Sequence, residues 1–255
     1  MRVLAVLEPR SPALQAYTHD SLPALGSVLV CNLEADVVAL VEAYSCHSRS
    51  PWCPIVVVIP PRCHLDSGIL EAFDPSPGAV VPMVSEWGRV ESNLRCLKDA
   101  VRKRARPSAL MLAEYVRLRT RGKAVSSALD ACLAAGLSPQ ENCPISHRST
   151  LGRHLKDFGP LKPHDWMAVG HLVHTQAIVM SSGCRTVEGA ALRVGVDPRT
   201  LRRRLRRYCG CSYAESKVRL GWEWILEAAM RKFGYTLPWT ATPAIPLLER
   251  RLFAG

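Results

Sequence analysis

Apolar positions in the N-terminal part of the chain come in short unbroken runs. "RVLAVL" from Arg2, "SVLVCNL" from Ser27, "PIVVVIPP" from Pro54 and "GAVVPMV" from Gly78 are rich in β-branched residues. Strands covered on both faces read this way, and Pro60 and Pro61 stop the third run. Between the runs the period becomes helical, in "ADVVALVEAY", "SGILEAF" and "RVESNLRCLKDAVRKRA". In the last of these Val90, Leu94, Leu97 and Val101 mark one stripe. Strands alternating with helices predict an α/β domain on a doubly wound parallel sheet over residues 1–105.

From Arg106 the strand signal stops and helical patterns take over, predicting an all-α domain over residues 106–235. "PSALMLAEYVRLR" opens with Pro107 and Ser108, "AVSSALDACLAAGL" ends near a glycine, and "SPQENCPISH" reads as a loop. "PHDWMAVGHLVHTQAIVM" starts at Pro163 as one long helix, and "TVEGAALRVGV", "DPRTLRRRLRRY" and "SYAESKVRLGWEWILEAAMRKF" follow. The segment 236–255 has several prolines and little periodicity, and reads as a loosely ordered tail.

Charge sharpens this division. Up to Ala105 there are 10 Lys+Arg against 11 Asp+Glu, and beyond it 23 against 11, so the whole excess of +11 belongs to the helical part. A neutral domain joined to one that meets a polyanion, most often nucleic acid, fits that asymmetry. The ten cysteines stand mostly alone, apart from Cys209-Gly210-Cys211, and read as buried reduced thiols. Cys46, His47, Cys53, Cys63 and His64 crowd one region without recognisable metal spacing, so neither a metal nor a cofactor is expected. "MRVLAVLEPR" is too short for a secretory leader, and no stretch approaches the roughly 20 apolar residues of a membrane span.

Chemistry concentrates in "TVEGAALRVGVDPRTLRRRLRRYCG", where six arginines occupy the nine positions from Arg199 to Arg207. Like charges at helical spacing repel, so the cluster calls for a counter-charge. Thr186 is placed to cap a short helix with Val187, Ala190, Ala191 and Val194 on its buried side. Gly195 permits a left-handed turn and Val196 plugs it, while Asp197 caps a second helix with Pro198 at its first position. In that helix Leu201, Leu205 and Tyr208 face inward. Arg199, Arg203 and Arg206 lie opposite, Arg202 and Arg207 flank them, and Arg204 sits nearer the apolar edge. Such a helix suits the major groove, whose phosphates neutralise the repulsion and whose guanines accept bidentate contacts.

The pattern recurs fifty residues earlier. "RSTLGRHLKDFG" aligns with "PRTLRRRLRRYC", so that Leu151, Leu155 and Phe158 match Leu201, Leu205 and Tyr208, and Arg153 and Lys156 match Arg203 and Arg206. The preceding pattern ends in Gly136-Leu137 as its counterpart ends in Gly195-Val196, although nine extra residues, "SPQENCPIS", lengthen the first turn. Two such units joined by a long helix resemble the AraC/XylS family of bacterial transcription regulators over roughly residues 108–216. The resemblance implies tandem helix-turn-helix units whose recognition helices, 148–158 and 198–208, enter successive major grooves of double-stranded DNA. By position it makes Ser149, Arg153, Lys156, Arg199, Arg203 and Arg206 the readers, and it implies a cytoplasmic, nucleoid-associated bacterial protein. A second alignment makes "RTLRRRL" the first unit and puts the other in the tail.

The order from Val28 to Ala105 resembles the later part of a response-regulator receiver domain, which implies a flavodoxin-like fold. Its chemistry is missing: Asn32 stands where the phosphorylated Asp belongs, and Glu8 is followed by Pro9 where an acidic pair is expected. Pro60 and Pro61 replace the switch Ser/Thr, and Pro82-Met83 the Lys-Pro pair. A degenerate receiver would serve packing or homodimerisation, or sense a ligand.

These patterns lead to a sequence-specific DNA-binding regulator without enzymatic activity. The alternatives are an architectural or recombination-associated DNA-binding protein of low selectivity, and a small α/β enzyme fused to a basic helical module. The enzyme would use Cys31, Cys63, His64 or Asp66 near strand ends, but no nucleophile–base pair or phosphate loop has recognisable spacing.

Overall fold

The apolar runs form the strands β1 (Leu4–Leu7), β3 (Val28–Asn32), β4 (Ile55–Ile59) and β5 (Val80–Val84), with a two-residue β2 (Gln15–Ala16) between the first two. The computed structural model describes residues 4–17, 23–33, 53–61, 80–102, 122–137, 148–156 and 158–235. The strands order as β2-β1-β3-β4-β5. Every residue of β3 and β4 is buried, as their two-sided apolar character requires. β5 lies at the edge, where Pro82 lacks an N–H to give and Val84 is 69% exposed.

β3, β4 and β5 are parallel, but β1 runs antiparallel to β3, so the expected all-parallel sheet is corrected to a mixed one. A parallel neighbour needs a crossover, usually helical, and Pro9, Pro12 and Pro23 interrupt the link between β1 and β3. The chain instead turns at Glu8, whose carbonyl accepts from the Ser11 N–H, and pairs β2 back on β1. The expected helices in 35–44 and 67–73 lie outside the described residues, as do Cys46, His47, Cys63, His64 and Asp66. The helical stripe after β5 is divided at Asn93 into α1 (Trp87–Ser92) and α2 (Arg95–Arg102), with Val90, Leu97 and Val101 buried. α2 packs against β4 and β5.

The chain divides into two compact units, and the second, Ala105–Pro238, is helical among its described residues. It contains α3 (Lys123–Leu137), α4 (Arg148–Lys156), α5 (Pro163–Ser182), α6 (Val187–Val194), α7 (Pro198–Arg204), α8 (Tyr213–Val218) and α9 (Glu223–Lys232). α7 continues through a widened π turn, Leu205–Cys209, to Gly210. The expected helix at 107–119, the loop at 138–147 and the tail 236–255 fall outside the described residues.

α5 is the centre of this unit, buried along most of its length and packed against α3, α4, α6, α7, α8 and α9. Trp166, Trp222 and Trp224 are core residues, at 1%, 3% and 0% exposure. Gly136 differs from the turn glycine that its resemblance to Gly195 predicts. It lies inside α3, and a side chain there would strike the Met167 carbonyl of α5. Gly170 of α5 meets the Leu133 carbonyl in the same way. The two helices therefore cross backbone to backbone, a close approach that only glycine permits. Among the described residues no helix is long and apolar enough to cross a membrane. No disulfide joins the described cysteines, of which Cys31, Cys53, Cys132 and Cys211 are buried as expected while Cys96, Cys184 and Cys209 are only half-buried. None of the described His, Cys, Asp and Glu residues form a group of three or more able to hold a metal.

Candidate nucleic-acid interface

Local chemistry sets the α6–turn–α7 unit. The Thr186 hydroxyl accepts from the Gly189 N–H at 3.1 Å and starts α6, which buries Val187, Ala190, Ala191 and Val194. Gly195 ends it in the left-handed region with φ 68°, and the Val196 N–H donates back to the Ala191 carbonyl at 3.0 Å. Asp197 then accepts from the N–H groups of Arg199 and Thr200 at 2.8 and 3.1 Å, with Pro198 at the first helical position.

Leu201, Leu205 and Tyr208 are 1%, 3% and 4% exposed and fix α7 to the core by one side. Arg199, Arg202, Arg203, Arg206 and Arg207 are all exposed. Two of these five have partners: Arg202 pairs with Glu188 of α6, and Arg207 donates to Asp165 at 2.9 Å. Arg199, Arg203 and Arg206 have no side-chain partner among the described residues, and they form the unneutralised face. Arg204 is half-buried, donating to His171 Nδ1 of α5 at 2.9 Å.

The earlier copy is less complete. Arg153 and Lys156 are exposed on α4 and Leu155 is buried, while Leu151 is half-buried. Ser149 falls within α4, but its side chain is outside the description. Phe158 lies beyond the end of α4 and packs at a tilt against Tyr235 and Trp166, at ring-centre distances of 4.9 and 6.2 Å.

Reading the sequence missed the group that holds the end of α7. Asp165, 4% exposed in the first turn of α5, accepts from the Tyr208 hydroxyl at 2.7 Å, from Arg207, and from the Lys162 N–H at 3.1 Å. Burial alone would raise its pKa. The hydrogen bonds from Tyr208 and Lys162 and the charges of His164 and Arg207 outweigh this and leave it below the ordinary carboxyl value. Burial and the bond to Asp165 push the Tyr208 phenol up to about 12, so it remains a donor. An acidic residue two positions after Pro163 was the available signal for a helix start, but nothing local pointed to Tyr208. Lys232 of α9 adds a donor to the Arg206 carbonyl at 2.6 Å.

His171 yields a pH prediction. Burial first, and then the charges of Arg204 and His174, hold its imidazole far below the ordinary value, at about 4. Above the unfolded value of 6.5 it is neutral in both states. As pH falls from 6.5 towards 4 the unfolded chain takes up a proton that the folded chain refuses. Stability should therefore fall across that window, by at most about 1.4 kcal/mol per pH unit. Urea midpoints measured from pH 7 down to 4.5 should drop more steeply for the native chain than for His171→Gln.

Compared with protein-family models, with curated proteins and with solved structures, the chain matches none.

Proposed function

We propose that the helical unit is a DNA-binding module in which α7 enters the major groove, with α4 acting as a second docking helix. The supporting observation is the division of α7 into a buried Leu201–Leu205–Tyr208 side and an exposed Arg199–Arg203–Arg206 side. Three guanidinium groups without a side-chain partner among the described residues repel one another on this face. A duplex supplies phosphates along the groove rims and guanine acceptors at its floor.

The reading is that of a sequence-specific transcription regulator with tandem helix-turn-helix units of the AraC/XylS kind. Arg202 and Arg207 would contribute phosphate contacts from the flanks, and Ser149, Arg153 and Lys156 the contacts of the first helix. The arginine density of α7 favours phosphate over base contacts, which supports the low-selectivity architectural protein as a second reading.

A salt titration tests both. Fluorescence anisotropy on duplexes selected from genomic fragments, and on random duplexes, should show affinity falling log-linearly with salt, with a slope of about −0.9 per phosphate contacted. A regulator keeps a ratio of about 10³ or more between selected and random duplexes. A ratio near unity establishes the architectural reading, and no saturable binding at low salt ends both.

A further inference from the structure

Beneath α4 lies a cavity of about 570 Å³, within the range of about 300–1,000 Å³ that holds small organic ligands. Leu151 and Leu155 of α4 and Met167 of α5 give it apolar walls. Gly152 forms part of the same wall, and a Cβ built on it would meet nothing within 4 Å. A side chain at position 152 would therefore meet no neighbour at its first carbon.

Among the described residues the charged groups at this cavity are of one sign. Lys156, Lys162 and His164 line it and are exposed, and no carboxylate is among its described lining residues. His164 lies 3.4 Å from Asp165, whose charge is already engaged by Tyr208 and Arg207. An apolar pocket with a cationic mouth complements an apolar body that ends in an anion. We infer that this cavity binds a small amphiphilic carboxylate, of the size of a medium-chain fatty acid, with its tail against Leu151, Leu155 and Met167 and its carboxylate at Lys156 and Lys162.

One consequence rests on the DNA-docking reading. Lys156 serves both the cavity mouth and the proposed phosphate face of α4, so a bound carboxylate withdraws one cation from the duplex and weakens binding to DNA.

Titration calorimetry on the full chain with octanoate, octan-1-ol and octylammonium tests the site without DNA. Octanoate should bind saturably at one per chain, octan-1-ol about tenfold more weakly or worse, and octylammonium not at all. Gly152→Met should fill the cavity and remove octanoate uptake while the circular-dichroism melt stays cooperative. Lys162→Gln, a change outside the proposed duplex contacts, should weaken octanoate several-fold and leave octan-1-ol unchanged. Absence of saturable uptake, equal uptake of the ammonium, or octanoate binding undiminished in a folded Gly152→Met chain overturns the inference. A chain that takes up octanoate but no duplex refutes the DNA reading and leaves the cavity's; one that binds duplex but no octanoate does the reverse.

Discussion

Replacing both Arg203 and Arg206 with glutamate is expected to lower duplex affinity by at least about 100-fold, because two cations become two repelled anions in the same groove. Stability should not fall. Both side chains are exposed without a side-chain partner among the described residues, and removing like charges from one helix face relieves repulsion. Arg204→Glu supplies the contrast. That guanidinium is half-buried against His171, so the change should lower the melting temperature. Anisotropy on a fixed duplex, with a thermal melt of each variant, separates loss of contact from loss of fold. Undiminished affinity in the double variant would transfer the role of α7 to a protein partner.

Asp165→Ala is expected to produce the largest loss of stability, about 2–3 kcal/mol, because it strips a buried phenol and a guanidinium of their acceptor at one stroke. The thermal midpoint should fall by on the order of 5–10 °C. Since the folded carboxyl titrates below its ordinary value of 3.8, its contribution is complete above that pH. It is lost only as pH falls through the still lower folded value. The deficit of Asp165→Ala against the native chain should therefore not shrink from pH 8 to 5, whereas the His171 contribution already declines over the lower part of that range. A deficit that shrinks between pH 8 and 5 would show that Asp165 is not held ionised by Tyr208 and Arg207. Duplex affinity should fall too, because the C-terminal end of α7 loses its anchor to α5.

What could be read in advance was whatever neighbouring residues decide among themselves. Thr186, Gly195, Asp197 and Pro198 each act within a few positions, so the start, turn and restart of α6 and α7 were legible, as was the buried register of Leu201, Leu205 and Tyr208. Strand direction was not: the apolar pattern of β1 is the same whether it runs with β3 or against it. The segment between the first two strand runs is too short for a full helix-strand-helix unit, which was the hint, and its prolines point the same way. Gly136 was misread because a glycine at a helix crossing and a glycine in a left-handed turn leave the same letter in the same kind of pattern. The Asp165–Tyr208 bond joins residues 43 positions apart, and no periodicity carries such a pairing. The cavity under α4 was equally hidden, since an unfilled space is a property of three dimensions.

The bare crossing of α3 over α5 has a mechanical consequence. With hydrogen atoms alone at Gly136 and Gly170, the Met167 carbonyl lies close against α3 and the Leu133 carbonyl close against α5, which leaves the two rods little clearance to shift past each other. α5 also carries Asp165, and through it the end of α7, so that assembly shifts as one piece. On the DNA-docking reading proposed above, adjustment to a change in the helical repeat or bend of a duplex would then be left to α4, which packs less extensively on α5 than α3 does.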